Sequence, residues 1–146
     1  MWQPQIEALQ SEFHILTPDL PGFGGNPPRP ASIEEMADEV AGLIREPVVL
    51  GGLSMGGYVA LAFARNYPAK LRGLILADTK AEADDAAGKA NRDKMIAFAE
   101  SHSAREVIDS MMSKMAVTPA GIERVRALAS QQSSAGIVNE IGRAHV

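Results

Sequence analysis

Apolar positions recur at helical spacing in residues 1–10, where Trp2, Ile6 and Leu9 share a side and predict a short helix lying on a sheet. Residues 13–20, Phe-His-Ile-Leu-Thr-Pro-Asp-Leu, read as a strand whose pairing ends at Pro18, because proline brings no amide hydrogen to a ladder. Ser32-Ile33-Glu34-Glu35 is a capping box: the serine accepts from a free amide and the glutamate reaches back. It opens a helix to about residue 45, with Ile33, Met36, Val40, Leu43 and Ile44 on one face. Pro47-Val48-Val49-Leu50 is short and β-branched, as a buried parallel strand is, and residues 71–77 give another strand. Between them, residues 59–67 form a helix of small residues stopped by Pro68. This alternation of helix and strand predicts an α/β fold, a doubly wound parallel sheet with right-handed crossovers.

From Lys80 the pattern loses its strand signals and gains alanine, methionine and helix caps. Asp84-Asp85-Ala86-Ala87-Gly88-Lys89 leads a helix to about Ser101, Ser103-Ala104-Arg105-Glu106 is a second capping box, and Thr118-Pro119 starts a third helix with proline at its first position. The chain therefore divides into residues 1–79, 80–139 and a final stretch, 140–146. Met95, Met111, Met112 and Met115 are expected in a core, with a pocket lining as the alternative.

Composition narrows the function classes. With 146 residues, 46% hydrophobic and 22% charged, the chain reads as one soluble globular unit or part of one. A net charge of −4 without a basic block argues against a nucleic-acid partner. No apolar run approaches the ~18 residues of a membrane span. The absence of cysteine excludes disulfides and thiolate metal sites. Met1-Trp2-Gln3-Pro4-Gln5 lacks the pattern of a signal peptide, and the absence of cysteine suits a reducing compartment; a cytoplasmic location is the expectation. The glycine-rich stretch Pro21-Gly22-Phe23-Gly24-Gly25-Asn26 is not a dinucleotide fingerprint, since it runs into Pro27, Pro28 and Pro30 before any helix begins. No cofactor and no metal are expected.

The chemistry concentrates at Gly52-Leu53-Ser54-Met55-Gly56, a G-x-S-x-G sequence between the apolar strand and the small-residue helix. This is the context of a nucleophile elbow, in which a serine on a sharp strand-to-helix turn exposes its hydroxyl; a plain helix cap is the simpler alternative. The strain brings strand and helix together, so Gly52 and Gly56 are expected where a Cβ has little room. On these residues the chain resembles the α/β-hydrolase family, with Asp19-Leu20-Pro21-Gly22-Phe23-Gly24-Gly25 resembling its loop after the fourth strand and Leu74-Ile75-Leu76-Ala77-Asp78-Thr79 its sixth strand. The likeness covers roughly residues 1–139, nearest to small esterases and enol-lactonases related to 3-oxoadipate enol-lactonase.

The resemblance implies a serine hydrolase acting on a small-molecule ester or lactone through an acyl-enzyme. Ser54 is the nucleophile, the backbone amide of Met55 one oxyanion donor, and Asp78 a candidate acid, although the family's usual acid follows a later strand. It also implies that residues 80–139 form a helical cap and residues 21–28 a rim of the entrance. His14 reads as structural or solvent-facing, His102 falls in the cap, and His145 lies in 140–146, so the base is expected outside this chain; the resemblance also implies that the second oxyanion donor comes from a loop after the family's third strand, which would precede Met1. Part of a hydrolase truncated at both ends, inactive by itself, is the resulting expectation. A ligand-binding protein on the same scaffold and a cofactor-independent haloperoxidase are the alternatives. Residues 140–146 can be encoded by GAGATCGGAAGAGCACACGTC, which resembles a short-read sequencing adapter, so a non-native tail is expected. The family sets a further strand between those at residues 13–19 and 48–53; keeping that arrangement leaves an open slot ~9.5 Å across, whereas closure would join the Ile15 and Val49 regions by backbone hydrogen bonds.

Overall fold

The computed structural model describes residues 1–112, 118–129, 138, 141 and 142. Helix α1 (Gln3–Leu9) forms at the expected place, with proline in its first turn. Helix α2 (Ile33–Leu43) starts on the expected capping box: Ser32 Oγ accepts from the Glu35 amide at 3.1 Å and the Glu35 carboxylate accepts from the Ser32 amide at 2.7 Å. Strand β1 (Val48–Leu53), helix α3 (Met55–Asn66), a 3-10 turn (Pro68–Lys70) and strand β2 (Leu71–Ala77) follow. The two strands pair in parallel, with Val49 opposite Gly73 and Leu53 opposite Ala77.

The strand expected over residues 13–20 is not formed. That segment carries no ladder, and among the described residues the sheet has two strands. No backbone hydrogen bond joins the Ile15 and Val49 regions, so the segment has not closed onto β1. The reason is physical: strand preference expresses itself through cross-strand and same-face packing, and Phe13 and Leu16 are 60% and 51% exposed, with no surface to pack on. The first strand of the predicted alternation is therefore replaced by a segment without regular structure between α1 and α2.

The main core lies between α2, α3 and the sheet. Met36 and Phe63 are fully buried, joined by Ile33, Ala37, Val40, Ala41, Met55, Val59 and Ala62. Burying each of the larger side chains among these is worth about 1.5–3 kcal/mol. Leu43 departs from the expected face: it ends α2 and is 55% exposed. The last carbonyls of α2 are satisfied from the far side of the crossover, where Lys70 Nζ donates to Ala41 O at 2.8 Å and Ile44 O at 3.0 Å.

Beyond β2, the caps again set the helices. Asp85 accepts from the Gly88 amide to open α4 (Ala86–Ser101), Ser103 and Glu106 box the start of α5 (Ala104–Met112), and Thr118 Oγ1 accepts from Gly121 at α6 (Pro119–Ala129). A second buried cluster unites Ala99, Val107 and Ile141, with Met95, Phe98 and Met111 packed against it. Met95 and Met111 are half-buried against this cluster; Met115, the side chain of Met112 and His145 lie outside the described residues.

Candidate active site

Strand β1 delivers the chain into Ser54 at φ 52° and ψ −119°, after which α3 begins. A non-glycine residue held there costs of order 1–3 kcal/mol and persists only where its surroundings over-determine it. Three hydrogen bonds do so. The Ser54 amide donates to Ala77 O at 3.0 Å, at the exit of β2, while the Ser54 carbonyl accepts from the Gly57 amide at 2.9 Å and from Thr79 Oγ1 at 2.9 Å. Ser54 is exposed, and its hydroxyl does not cap α3, which sets aside the plain helix-cap reading.

The glycines around it have separate duties. A Cβ on Gly52 would overlap the backbone carbonyl of Gly56 and approach the Gly57 nitrogen at 2.7 Å, the crowding expected at that position. Gly56 does not share it, since a Cβ there would meet nothing within 4 Å. The second close approach falls instead at Gly57, where a Cβ would occupy the space filled by the Thr79 side chain. The reason is that the turn is closed from the side by β2 as well as along its own chain. The doublet Gly56-Gly57 hinted at this; Thr79, 25 residues away from Ser54, gave no local sign.

Met55 is the first residue of α3, so its amide is among the four N-terminal N–H groups that have no acceptor inside the helix. Its side chain is buried in the main core, which fixes the first turn. Asp78 lies between the two residues that hold the elbow, exposed and itself at φ 45°. Aspartate tolerates the left-handed region better than most residues.

The histidines are placed elsewhere. His14 is exposed in the segment between α1 and α2 that forms no ladder, in keeping with the solvent-facing reading. His102 caps α4, stacks on Phe98 with ring centroids 3.8 Å apart, and sets Nδ1 2.8 Å from the Phe98 carbonyl oxygen and 2.9 Å from Ser101 Oγ. The glycine-rich loop is folded around Asp19: the Gly25 amide donates to its carboxylate at 3.2 Å, and a Cβ on Gly24, at φ 55°, would overlap it. Among the described residues no group of three or more potential metal ligands gathers, and no helix is long and apolar enough to cross a membrane.

Comparison with known proteins identifies the fold that carries this strand, serine and helix. The model of the alpha/beta hydrolase family matches residues 1–139. The chain belongs to that family. It is 39% identical over 82 residues to a pimeloyl-[acyl-carrier protein] methyl ester esterase of Pseudoalteromonas atlantica, covering 54% of this chain and 32% of that protein. A malate-bound thermophilic esterase from Thermogutta terrifontis superposes with a TM-score of 0.87 at 36% identity, over 99% of this chain and 58% of the esterase. A hydrolase from Pseudomonas aeruginosa PA01, at 24% identity and TM-score 0.83, shares the fold. The chain thus spans about a third of the curated esterase and 58% of the solved one.

In this member of the hydrolase family a charged cluster ties the start of α4 to the elbow helix. The Asp84 side chain, 4% exposed, pairs with both Lys80 and Arg92, and Arg92 Nη2 reaches Tyr58 OH on α3 at 3.4 Å. The Arg92 guanidinium, then the Lys80 ammonium, lower the Asp84 carboxyl from 3.8 to about 2. A carboxylate whose folded pKa is depressed contributes stability that is complete above its unfolded value and is lost as pH falls through the folded one. Asp84→Asn is therefore expected to remove part of the loss of stability between pH 3.8 and about 2, read as urea midpoints across an acid pH series. An unchanged acid limb would show that the cluster is not linked to folding.

Proposed function

We propose that this chain carries the nucleophile of a serine hydrolase that cleaves a small carboxylic ester or lactone through an acyl-enzyme, and that it is part of a longer protein. The observation that carries the reading is Ser54, exposed at φ 52° with a hydroxyl that α3 does not use, beside the amide of Met55. Ser54 Oγ attacks the carbonyl carbon as a base takes its proton; the carbonyl π pair moves onto oxygen, and the Met55 N–H stabilises that oxyanion. Collapse expels the alcohol with the proton returned, and water repeats the sequence to free the acid. The ester-cleaving relatives support this substrate class. No cofactor or metal, nucleic acid or membrane enters the reading, and the location is cytoplasmic.

In this reading the base lies outside the described residues, since His102 is engaged with Phe98 and Ser101 and His14 sits in the segment without a ladder, and the second oxyanion donor comes, in the family pattern, from a loop after the third strand. Residues 1–146 alone are then inactive, residues 80–139 are a cap, and residues 140–146 are read-through from an adapter, which the codons of the parent nucleic acid test. A fluorophosphonate probe tests the main reading: the longer protein should be labelled, and Ser54→Ala should abolish labelling. Labelling that survives the substitution would assign the nucleophile to another residue.

Asp78 is the candidate acid among the described residues, and its left-handed backbone gives it a second account as a turn residue. The turn role is favoured, since the family's usual acid follows a later strand; asparagine shares the left-handed tolerance and so tests the carboxylate alone. Asp78→Asn should leave kcat within about threefold, whereas loss of an orienting acid costs about 10⁴-fold. A loss of that size would make Asp78 the acid.

A further inference from the structure

We infer that Thr79 is a positioning residue that sets the direction of the Met55 oxyanion donor, an inference that rests on the serine-hydrolase reading of Ser54. The Ser54 carbonyl and the Met55 N–H belong to one peptide unit, which is planar, so anchoring the oxygen on one side fixes where the hydrogen points on the other. That oxygen has two partners. The Gly57 amide reaches it from within the first turn of α3, and Thr79 Oγ1 reaches it at 2.9 Å from the segment after β2. The first belongs to the turn itself and moves with it; the second ties the peptide plane to the segment that follows β2.

The placement of Thr79 is itself secured. Ala77, two residues earlier, accepts from the Ser54 amide at 3.0 Å, so the same short segment holds both ends of Ser54. Asp78 between them takes φ 45° in a bend, directly before the Thr79 hydroxyl that meets the Ser54 carbonyl. Gly57 then leaves room for it, since a Cβ there would stand where the threonine stands. Each feature serves the same contact. The strained serine, the left-handed aspartate, the glycine and the hydroxyl form one device that aims an amide.

The test uses kcat and KM of the longer protein. Thr79→Val keeps the shape against Gly57 and removes the hydrogen bond, so kcat should fall roughly tenfold to a hundredfold, less than the ~10²–10³ of losing a donor outright, with KM within about twofold. Thr79→Ser should restore kcat. Affinity for a trifluoromethyl ketone, which forms a tetrahedral oxyanion on the serine, should fall with kcat/KM. A wild-type kcat in Thr79→Val, a loss that Thr79→Ser does not recover, or a change confined to KM would overturn the inference. If the valine variant does not fold, Thr79→Ala against Thr79→Ser carries the same comparison. Persistence of hydrolysis in Ser54→Ala would instead remove the reading beneath it, so the two failures are separable.

Discussion

Ser54→Ala in the longer protein should lower kcat on p-nitrophenyl acetate by about 10⁴-fold or more, with the burst of p-nitrophenol lost entirely. Alanine keeps the side-chain volume near that of serine and removes the only atom proposed to bond to substrate, so binding and the Met55 donor survive while covalent chemistry ends. The backbone should survive too: the three hydrogen bonds that hold φ 52° involve the amide and carbonyl of Ser54, and the hydroxyl takes no part. The expected signature is thus a protein of unaltered fold with residual catalysis from the oxyanion site. A rate near wild type would end the nucleophile assignment; a rate reduced together with a collapsed melting transition would mean the hydroxyl also supports the turn.

Gly52→Ala should have the largest effect on stability, more than about 3 kcal/mol in urea unfolding. Overpacking costs typically 1–3 kcal/mol where flexible side chains can move aside, but the atoms met here are the carbonyl of Gly56 and the amide nitrogen of Gly57, which are backbone. Relief requires β1 and α3 to part, and that would pull Ser54 from its bond to Ala77. Against a total stability of roughly 5–15 kcal/mol the change is severe. Gly56→Ala is the control. Nothing lies within 4 Å of its Cβ, and alanine favours a helix over glycine by up to about 1 kcal/mol, so this variant should be as stable as the parent or more so. Equal destabilisation of both would show that the crowding is symmetric about the serine, as the motif alone suggests.

That contrast shows what the chain makes legible and what it withholds. Caps were readable because they are local: Ser32 with Glu35, Asp85 with Gly88, and Thr118 with Gly121 each join partners three residues apart. So were β1, β2 and the strained Ser54, since glycines flank a turn that only a few conformations can close. The segment 13–20 carries strand-like residues but forms no ladder, because pairing depends on a neighbour and not on composition. Leu43 kept its helical phase and is exposed all the same, for burial depends on what another element covers. Thr79 was invisible for a third reason: a hydroxyl that bonds a carbonyl 25 residues away leaves no periodicity and no spacing to read.

The distance along the chain between Ser54 and the residues that hold it also has a consequence for assembly in time. No stretch near the serine can adopt its shape alone; the conformation becomes affordable only when the crossover through α3 has closed and the end of β2 has docked. The geometry of Ser54 is therefore expected to form late in folding and to be lost early on heating, since fraying of residues 77–79 would free Ser54 while the helices around Phe63 and Met36 stay packed. Loss of probe reactivity at a lower temperature than loss of helical signal is what such a hierarchy produces.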